Sequence, residues 1–286
     1  MAGRVAWISI SPVKGLALVH PDEVVLGPHG VAENRRLYLV DDDGRLVNGK
    51  RLGRLVQVVP SYEGGAGVGA GAGVGAGGAG VGAGGAGMGV GTLRLDLPGG
   101  QVVTGQVELG DRVSTSFFGR PVAGRAVVGP WAEAITKWAG RPLHLVRCER
   151  PGEGTDRGGG ASVSLLSTAA LGLLAGALGE AEPLDGRRFR MLFGVDGVAA
   201  HEEDGWLGRR VRIGGAVVIP RGNVGRCLVT GQDPGTGVPD LDTLGGLGTY
   251  RRGLATSEAL AFGVWGEVAQ PGLVRLGAPV EVEPED

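Results

Sequence analysis

The sequence predicts a mainly β fold with a few helices, of the barrel or sandwich kind. Short β-branched or apolar runs recur at both ends of the chain, Gly- and Pro-rich turn signals separate them, and few segments carry a helical period. In the first sixty residues the runs fall at 5–10, 23–26, 37–40 and 55–59, with turns at Ser11-Pro12, Gly27-Pro28 and Asp41 to Gly44. Asp43-Gly44 between two such runs is a hairpin signal. A second hairpin is expected where 92–97 alternates and Gly99-Gly100 returns the chain into 101–104.

Helical periodicity is confined to two places. Residues 130–139 put Trp131, Ile135 and Trp138 on one face, as a packed core helix requires. Residues 168–178 form the most apolar helix, with Ser167 at the N-cap position and Gly179 where a left-handed C-cap belongs. Residues 142–148 read as a strand and 150–160 as a polar, Gly-rich loop. Strands then return at 209–213, 216–219, 226–230, 262–268, 274–276 and 280–282. Residues 64–91 consist almost entirely of Gly, Ala and Val, too little side chain to offset ordering entropy, and are expected to be a flexible insertion. Gly73, Gly75 and Gly78 with Asp96 match a dinucleotide-binding pattern formally. The match is rejected: no strand precedes it and no crossover helix follows.

Composition narrows the function. With 28 basic and 30 acidic residues the formal charge is −2, which gives no electrostatic case for nucleic acid or an anionic membrane as partner. The residues that carry charge are nevertheless informative. Arg greatly outnumbers Lys, a bias read as GC-rich and bacterial, so the three lysines, Lys14, Lys50 and Lys137, stand against the drift. Two cysteines, Cys148 and Cys227, define no disulfide framework. No secretory pattern precedes Lys14, and the apolar stretch 169–178 is about half of the roughly 20 residues a spanning helix needs, so a cytoplasmic location is expected.

Cys227 is the residue most suited to chemistry. It follows Arg226 at the end of an apolar run and precedes a turn-rich loop, Asp233-Pro234-Gly235-Thr236-Gly237. A neighbouring guanidinium favours thiolate, the form that binds metals or attacks; an inert buried cysteine is the alternative. Lys14 follows a strand, Arg35 and Arg36 precede one, and Arg187, Arg188 and Arg190 flank Phe189. Converging at one barrel mouth, these cations would suit a phosphate-bearing ligand; singly, each is a solvated surface charge. The four histidines have no metal-ligand spacing, and His201-Glu202-Glu203-Asp204 lacks the second His of a metalloprotease motif. A nucleophile elbow, a P-loop and paired CxxC motifs are all missing.

Four segments together resemble the MOSC-domain family, most closely the mitochondrial amidoxime-reducing component and its bacterial relatives. They are Ser11 to Gly15 with Gly30 to Val40, Ser164 to Leu171, Arg188-Phe189-Arg190, and Glu203 to Gly208 running through Gly225-Arg226-Cys227 to Gly237 and then Thr249-Tyr250-Arg251. The closing Phe262-Gly263 and Gly277 to Val280 fit as well. The resemblance implies a MOSC-type β-barrel over 126–286, preceded by a smaller N-terminal β-barrel-like region over 1–125. It implies a molybdopterin-type molybdenum cofactor, independent of pyridoxal phosphate. Cys227 would ligate molybdenum and be the catalytic residue, while Lys14, Gly15, Arg36, Arg190, Gly225 and Arg226 would help to bind the cofactor.

The reaction so implied is reduction of an N-hydroxylated or N-oxide small molecule. Two cysteines cannot hold a four-cysteine iron–sulfur cluster, so an external electron donor (flavoprotein, ferredoxin or cytochrome) is expected. The chain departs from its relatives at Gly15, Gly158 to Gly160, Met191-Leu192 and Gly225, where they carry polar cofactor contacts. Each lost side-chain bond removes roughly 0.5–1.5 kcal/mol. Two other readings follow from the same residues: a metal-free sulfur-transfer or biosynthetic enzyme with a persulfide or covalent intermediate on Cys227, and a non-catalytic carrier of the cofactor.

Overall fold

The structure, a computed structural model, describes residues 3–63, 91–158 and 160–284. Seven strands close a barrel in the order Gly3–Ile8, Phe193–Asp196, Val163–Ser167, Ala261–Gln270, Ala216–Gly225, Val211–Ile213 and Pro279–Val282, the last pairing back onto the first. Within it, Val163–Ser167 and Phe193–Asp196 run parallel, so a crossover must join them. The helix Thr168–Leu178 supplies it. The barrel is filled by aliphatic and aromatic side chains, among them Val5, Ile8, Leu165, Phe193, Val211, Ile213 and Val264.

A second body packs against it. Its main sheet runs Glu108–Phe117, Arg120–Val128, His144–Cys148, Leu37–Val40 and Val13–Lys14, with Leu46–Val47 also paired to Leu37–Val40. A three-stranded sheet, Val59–Glu63, Thr92–Asp96 and Val102–Gln106, closes its core with Leu55, Leu93, Leu95 and Leu145. Helix α1, Trp131–Ala139, lies on this core. Trp131 is fully buried there and its indole donates to the carbonyl of Leu93 at 3.0 Å. Helix α2, Thr168–Leu178, and helix α3, Thr243–Tyr250, pack together on the barrel.

The expected helices are in place, with Gly140 and Gly179 as left-handed C-caps. Ser167 occupies the N-cap of α2, but its hydroxyl does not cap the helix; it accepts from the His201 amide at 2.9 Å instead. The run at 55–59 is not a strand. It begins as a 3-10 turn, Gly53–Gln57, and the strand starts at Val59. Residues 226–230 are likewise not a strand: Gly225 ends the long barrel strand, and a 3-10 turn, Leu228–Gly231, follows Cys227. The long hairpin Glu108–Phe117/Arg120–Val128 has too many charged residues to alternate clearly and was not expected.

A division at 125/126 would cut through the strand Arg120–Val128. The strands sort differently. Gly3–Ile8 belongs to the barrel, while His144–Cys148 belongs to the second sheet. No helix among the described residues is long and apolar enough to cross a membrane.

The expected insertion at 64–91 lies outside the described residues except for Gly91, but its two ends are well defined. Glu63 and Thr92 are directly paired across the antiparallel ladder, so a short turn can join them. Replacing 64–90 with a single Asn, to make an Asn-Gly91 turn, is expected to leave a soluble protein with an unchanged circular dichroism spectrum. Loop-closure cost falls with shorter loops, so the melting temperature should not drop. An insoluble product would show that the tract contributes to the fold.

Candidate functional site

The chain between Ile8 and Leu37 bridges the two bodies. The Ser9 amide donates to the Leu192 carbonyl (2.8 Å), the Arg35 amide to Ser11 (2.7 Å) and the Leu37 amide to Pro12 (3.1 Å). Between the bodies lies a cavity of about 450 Å³, within the usual range for small-molecule sites. Its walls carry seven cations, Lys14, Arg35, Lys50, Arg157, Arg188, Arg190 and Arg226, against two carboxylates, Asp156 and Glu258. In a chain of net charge −2 this is a strong local excess of positive charge.

The pairings sharpen it. Lys14 bonds Asp156 (2.8 Å) and the Gly154 carbonyl (2.9 Å). Burial pushes its ammonium down to about 8, against the attraction of Asp156. Arg157 bonds Glu258, and Arg188 forks onto Asp240 at 2.6 and 2.7 Å. Both cavity carboxylates are therefore already engaged. By contrast Arg35, Arg190 and Arg226 bond only neutral groups among the described residues. Arg35 donates to the Arg190 carbonyl (2.9 Å), and Arg190 to the Ser11 hydroxyl (3.0 Å) and the Leu16 carbonyl (2.6 Å). Arg226 donates to the carbonyls of Phe189 (3.0 Å) and Phe262 (2.9 Å) and to the Met191 sulfur (3.0 Å). Burial pushes both Arg190 and Arg226 down to about 9, and Arg35 lowers Arg190 further.

Cys227 stands on the same cavity, partly buried, in extended backbone between the barrel strand and the 3-10 turn. Its carbonyl accepts from the amide and hydroxyl of Thr230 (3.1 and 3.0 Å), and Thr230 in turn bonds Thr243 on α3 (2.7 Å). Cys148 is different: it is buried in the second sheet, burial pushes its thiol up, and its sulfur donates to the Arg36 carbonyl (3.3 Å). No group of three or more His, Cys, Asp or Glu among the described residues could hold a metal. Cys227 is the thiol that lines this cavity, beside the engaged carboxylates of Asp156 and Glu258.

Of the residues expected at the site, Lys14, Gly15, Arg190, Gly225, Arg226 and Cys227 all line the cavity, and Arg36 does not. Arg35 lines it instead. Arg35 has left-handed backbone, φ +56°, just before the strand Leu37–Val40. That bend sends the Arg35 and Arg36 side chains in different directions, and only Arg35 faces the cavity. Arg36 is buried on the other side, where its charge acts on Glu33 and Cys148. Asp156, Arg157, Glu258 and Asn48 were not expected. Asp156 and Arg157 lie in a segment whose Gly content read only as loop; nothing in the sequence pairs Glu258 with Arg157.

Two of the departures have a physical basis. Gly15 has φ +91°, and a Cβ there would press on the Asn48 backbone at 3.3 Å. At Gly225 a Cβ would meet the Glu258 carboxylate at 2.5 Å, which instead accepts from the Gly225 amide at 3.0 Å. Gly15 thus admits the approach of Asn48, and Gly225 that of a carboxylate.

Glu203 lies behind the site, where its charge acts on Arg226. It is fully buried, and neither oxygen meets hydrogen-bond geometry. Burial pushes its carboxyl up to about 7, partly offset by the nearby Ser167 hydroxyl. A carboxyl raised in the folded state binds its proton more tightly there than when unfolded. Its cost is therefore absent below about pH 4.5, grows as pH rises, and is complete above about 7. Glu203→Gln is expected to stabilise the protein at pH 8, by up to about 3 kcal/mol. The gain should shrink towards pH 5, and urea unfolding at both pH values measures it. A difference that does not change with pH would mean that Glu203 keeps an ordinary carboxyl.

Residues 153–281 match the family model of the MOSC domain. Among solved structures, the YuaD protein of Bacillus subtilis aligns over 100% of this chain and 98% of its own, at 12% identity and a TM-score of 0.46. YiiM of Geobacillus stearothermophilus aligns over 62% of this chain and 74% of its own, at 15% identity and a TM-score of 0.34. No curated protein gives a significant match.

Proposed function

We propose that this chain, whose residues 153–281 form a MOSC domain, binds a molybdenum cofactor in the cavity between its two bodies and uses it as an oxidoreductase. The family is associated with molybdenum-cofactor binding. The observation that carries the reading to this chain is the set of three guanidiniums, Arg35, Arg190 and Arg226, hydrogen-bonded to no carboxylate among the described residues, on the cavity that also exposes Cys227. The three are half-buried, and charges partly withdrawn from water and bonded to no opposite charge favour a bound anion.

The residues suit this group chemically. Arg35, Arg190 and Lys14 would hold the phosphate and the polar edge of the pterin. Arg matches phosphate oxygens with its planar fork, and Lys adds a point charge. Cys227 offers the soft sulfur that a transition metal prefers. Arg226, with its donors engaged by the Phe189 and Phe262 carbonyls, would fix the position of Cys227 rather than grip the ligand. When bound, the cofactor would supply two-electron chemistry, here the removal of oxygen from an N-hydroxylated or N-oxide substrate with two electrons and two protons, giving the reduced compound and water. The electrons would come from an external donor such as a flavoprotein, ferredoxin or cytochrome.

The test is the molybdenum and pterin content of the protein produced in a host that makes the cofactor. Near-stoichiometric content is expected in wild type, with molybdenum lost or strongly reduced in Cys227→Ser. The content should also fall on dialysis at pH 9 relative to pH 7. Burial pushes Lys14 down to about 8 and Arg190 and Arg226 down to about 9, so the positive charge of the cavity falls between pH 7 and pH 9, Lys14 first. Neither metal nor pterin in wild type would overturn the reading and leave Cys227 as a sulfur carrier, which a persulfide found by mass spectrometry would establish.

A further inference from the structure

Phe118 has no local reason to be where it is. With Gly119 it forms the two-residue loop of the long hairpin, whose flanking residues Phe117 and Arg120 are paired. Both loop residues have left-handed backbone, φ +52° and +88°, as a type I′ turn requires. Asn, Asp and Gly take that conformation readily, whereas a Phe brings its Cβ against the following carbonyl. Burial does not offset this, because the side chain is 63% exposed.

What the ring does is line the cavity described above, with Asn48 and Lys50 beside it. The Lys50 ammonium sits 5.4 Å from the ring centroid. The hairpin is also held in place. Arg120 donates to the carbonyls of Glu153 (3.0 Å) and Thr155 (2.9 Å), in the loop that carries Asp156 and Arg157 to the site. A large aromatic ring is thus fixed on the wall of a positively charged cavity, in a conformation its own backbone disfavours.

We propose that Phe118 is a stacking platform that selects flat, anionic heteroaromatic ligands. The ligand's ring would lie on the phenyl face that Lys50 leaves open, while its charge is met by Arg35, Arg190 and Lys14. This specificity rests on the anion-binding reading of the cavity and not on the presence of a metal.

The backbone conflict gives the test. Phe118→Asn puts a favoured residue into the turn while removing the platform. The full chain, made in a host without the molybdenum cofactor, would be titrated by calorimetry with pterin-6-carboxylate, a flat anion, and separately with inorganic phosphate, which has no ring. The expected result in Phe118→Asn is a Kd for pterin-6-carboxylate weakened about tenfold, as loss of one stacked aromatic implies. Phosphate binding should stay within about twofold, and the melting temperature should rise. Phe118→Leu keeps an apolar side chain and should lose the same selectivity without the rise in melting temperature.

Unchanged pterin-6-carboxylate binding in Phe118→Asn, an equal loss of both ligands, or a wild type that binds phosphate but not the pterin would each overturn the proposal. A wild type that binds pterin-6-carboxylate through Phe118, yet carries no molybdenum when made in a host that supplies the cofactor, would sink the metal reading alone.

Discussion

The guanidinium of Arg226 is the interaction on which the site depends. It reaches the Phe189 carbonyl in the segment between α2 and the strand Phe193–Asp196, and the Phe262 carbonyl in the barrel strand Ala261–Gln270. It also lies 5.3 and 5.9 Å from the centroids of the Phe189 and Phe262 rings, which pack on each other at 4.4 Å. Three separate stretches of chain are thereby drawn to one point, and Cys227 is the next residue. Hydrogen bonds from a charged donor are each worth roughly 1.5–3 kcal/mol when their acceptors would otherwise be left bare. A neutral side chain at 226 would strand two carbonyls as well as remove a charge.

That arrangement carries a cost which organises the rest of the cavity. Arg226 is joined by Arg35 and Arg190, and each is bonded to oxygens that carry no formal charge. Burial depresses all three, and they repel one another. The acids that could neutralise them are taken: Asp156 by Lys14, Glu258 by Arg157, Asp240 by Arg188. Burial alone would raise Asp156, but Lys14 and Arg35 hold its carboxyl below the usual range, so it stays ionised and keeps Lys14 in place. The cavity is therefore rigid in its hydrogen bonds and unbalanced in its charge, the combination expected of a preorganised anion site.

The sequence made the fold class legible because strand length and turn chemistry are local properties. Trp131 and Ile135 one turn apart, or Gly99-Gly100 between two alternating runs, carry their structure with them. The site was legible where one residue type at one position was unusual: a lysine in an arginine-rich chain, a cysteine next to an arginine. What could not be read was set by tertiary partners. Arg35 and Arg36 are equivalent as letters, and only the positive φ at 35 decides which faces the cavity. Gly225 looked like a lost hydrogen bond until Glu258, thirty-three positions away, proved to occupy the space. Ser167 had the right position for a cap and used its hydroxyl on His201. Phe118 carries a local conflict that is invisible until the hairpin register places it at a turn.

These exceptions have a common cause. Gly15, Arg35, Phe118 and Arg190 all have positive φ, three of them with side chains that make this costly, and all four line the same cavity. Each bend aims a side chain or admits a close neighbour: Gly15 lets Asn48 approach, Arg35 turns its guanidinium towards Arg190, and Arg190 turns its own towards Ser11 and Leu16. Left-handed non-glycine residues are uncommon, and they persist where surrounding contacts over-determine them. The barrel strands and helices supply those contacts, even where a barrel strand itself bends, as at Gly263 with φ +82°. Apart from His201 and Leu260, the left-handed non-glycine residues among the described ones gather their strain in short connections at one cavity. There a ligand's binding energy can act on it, and there the chain departs from what its local sequence would choose.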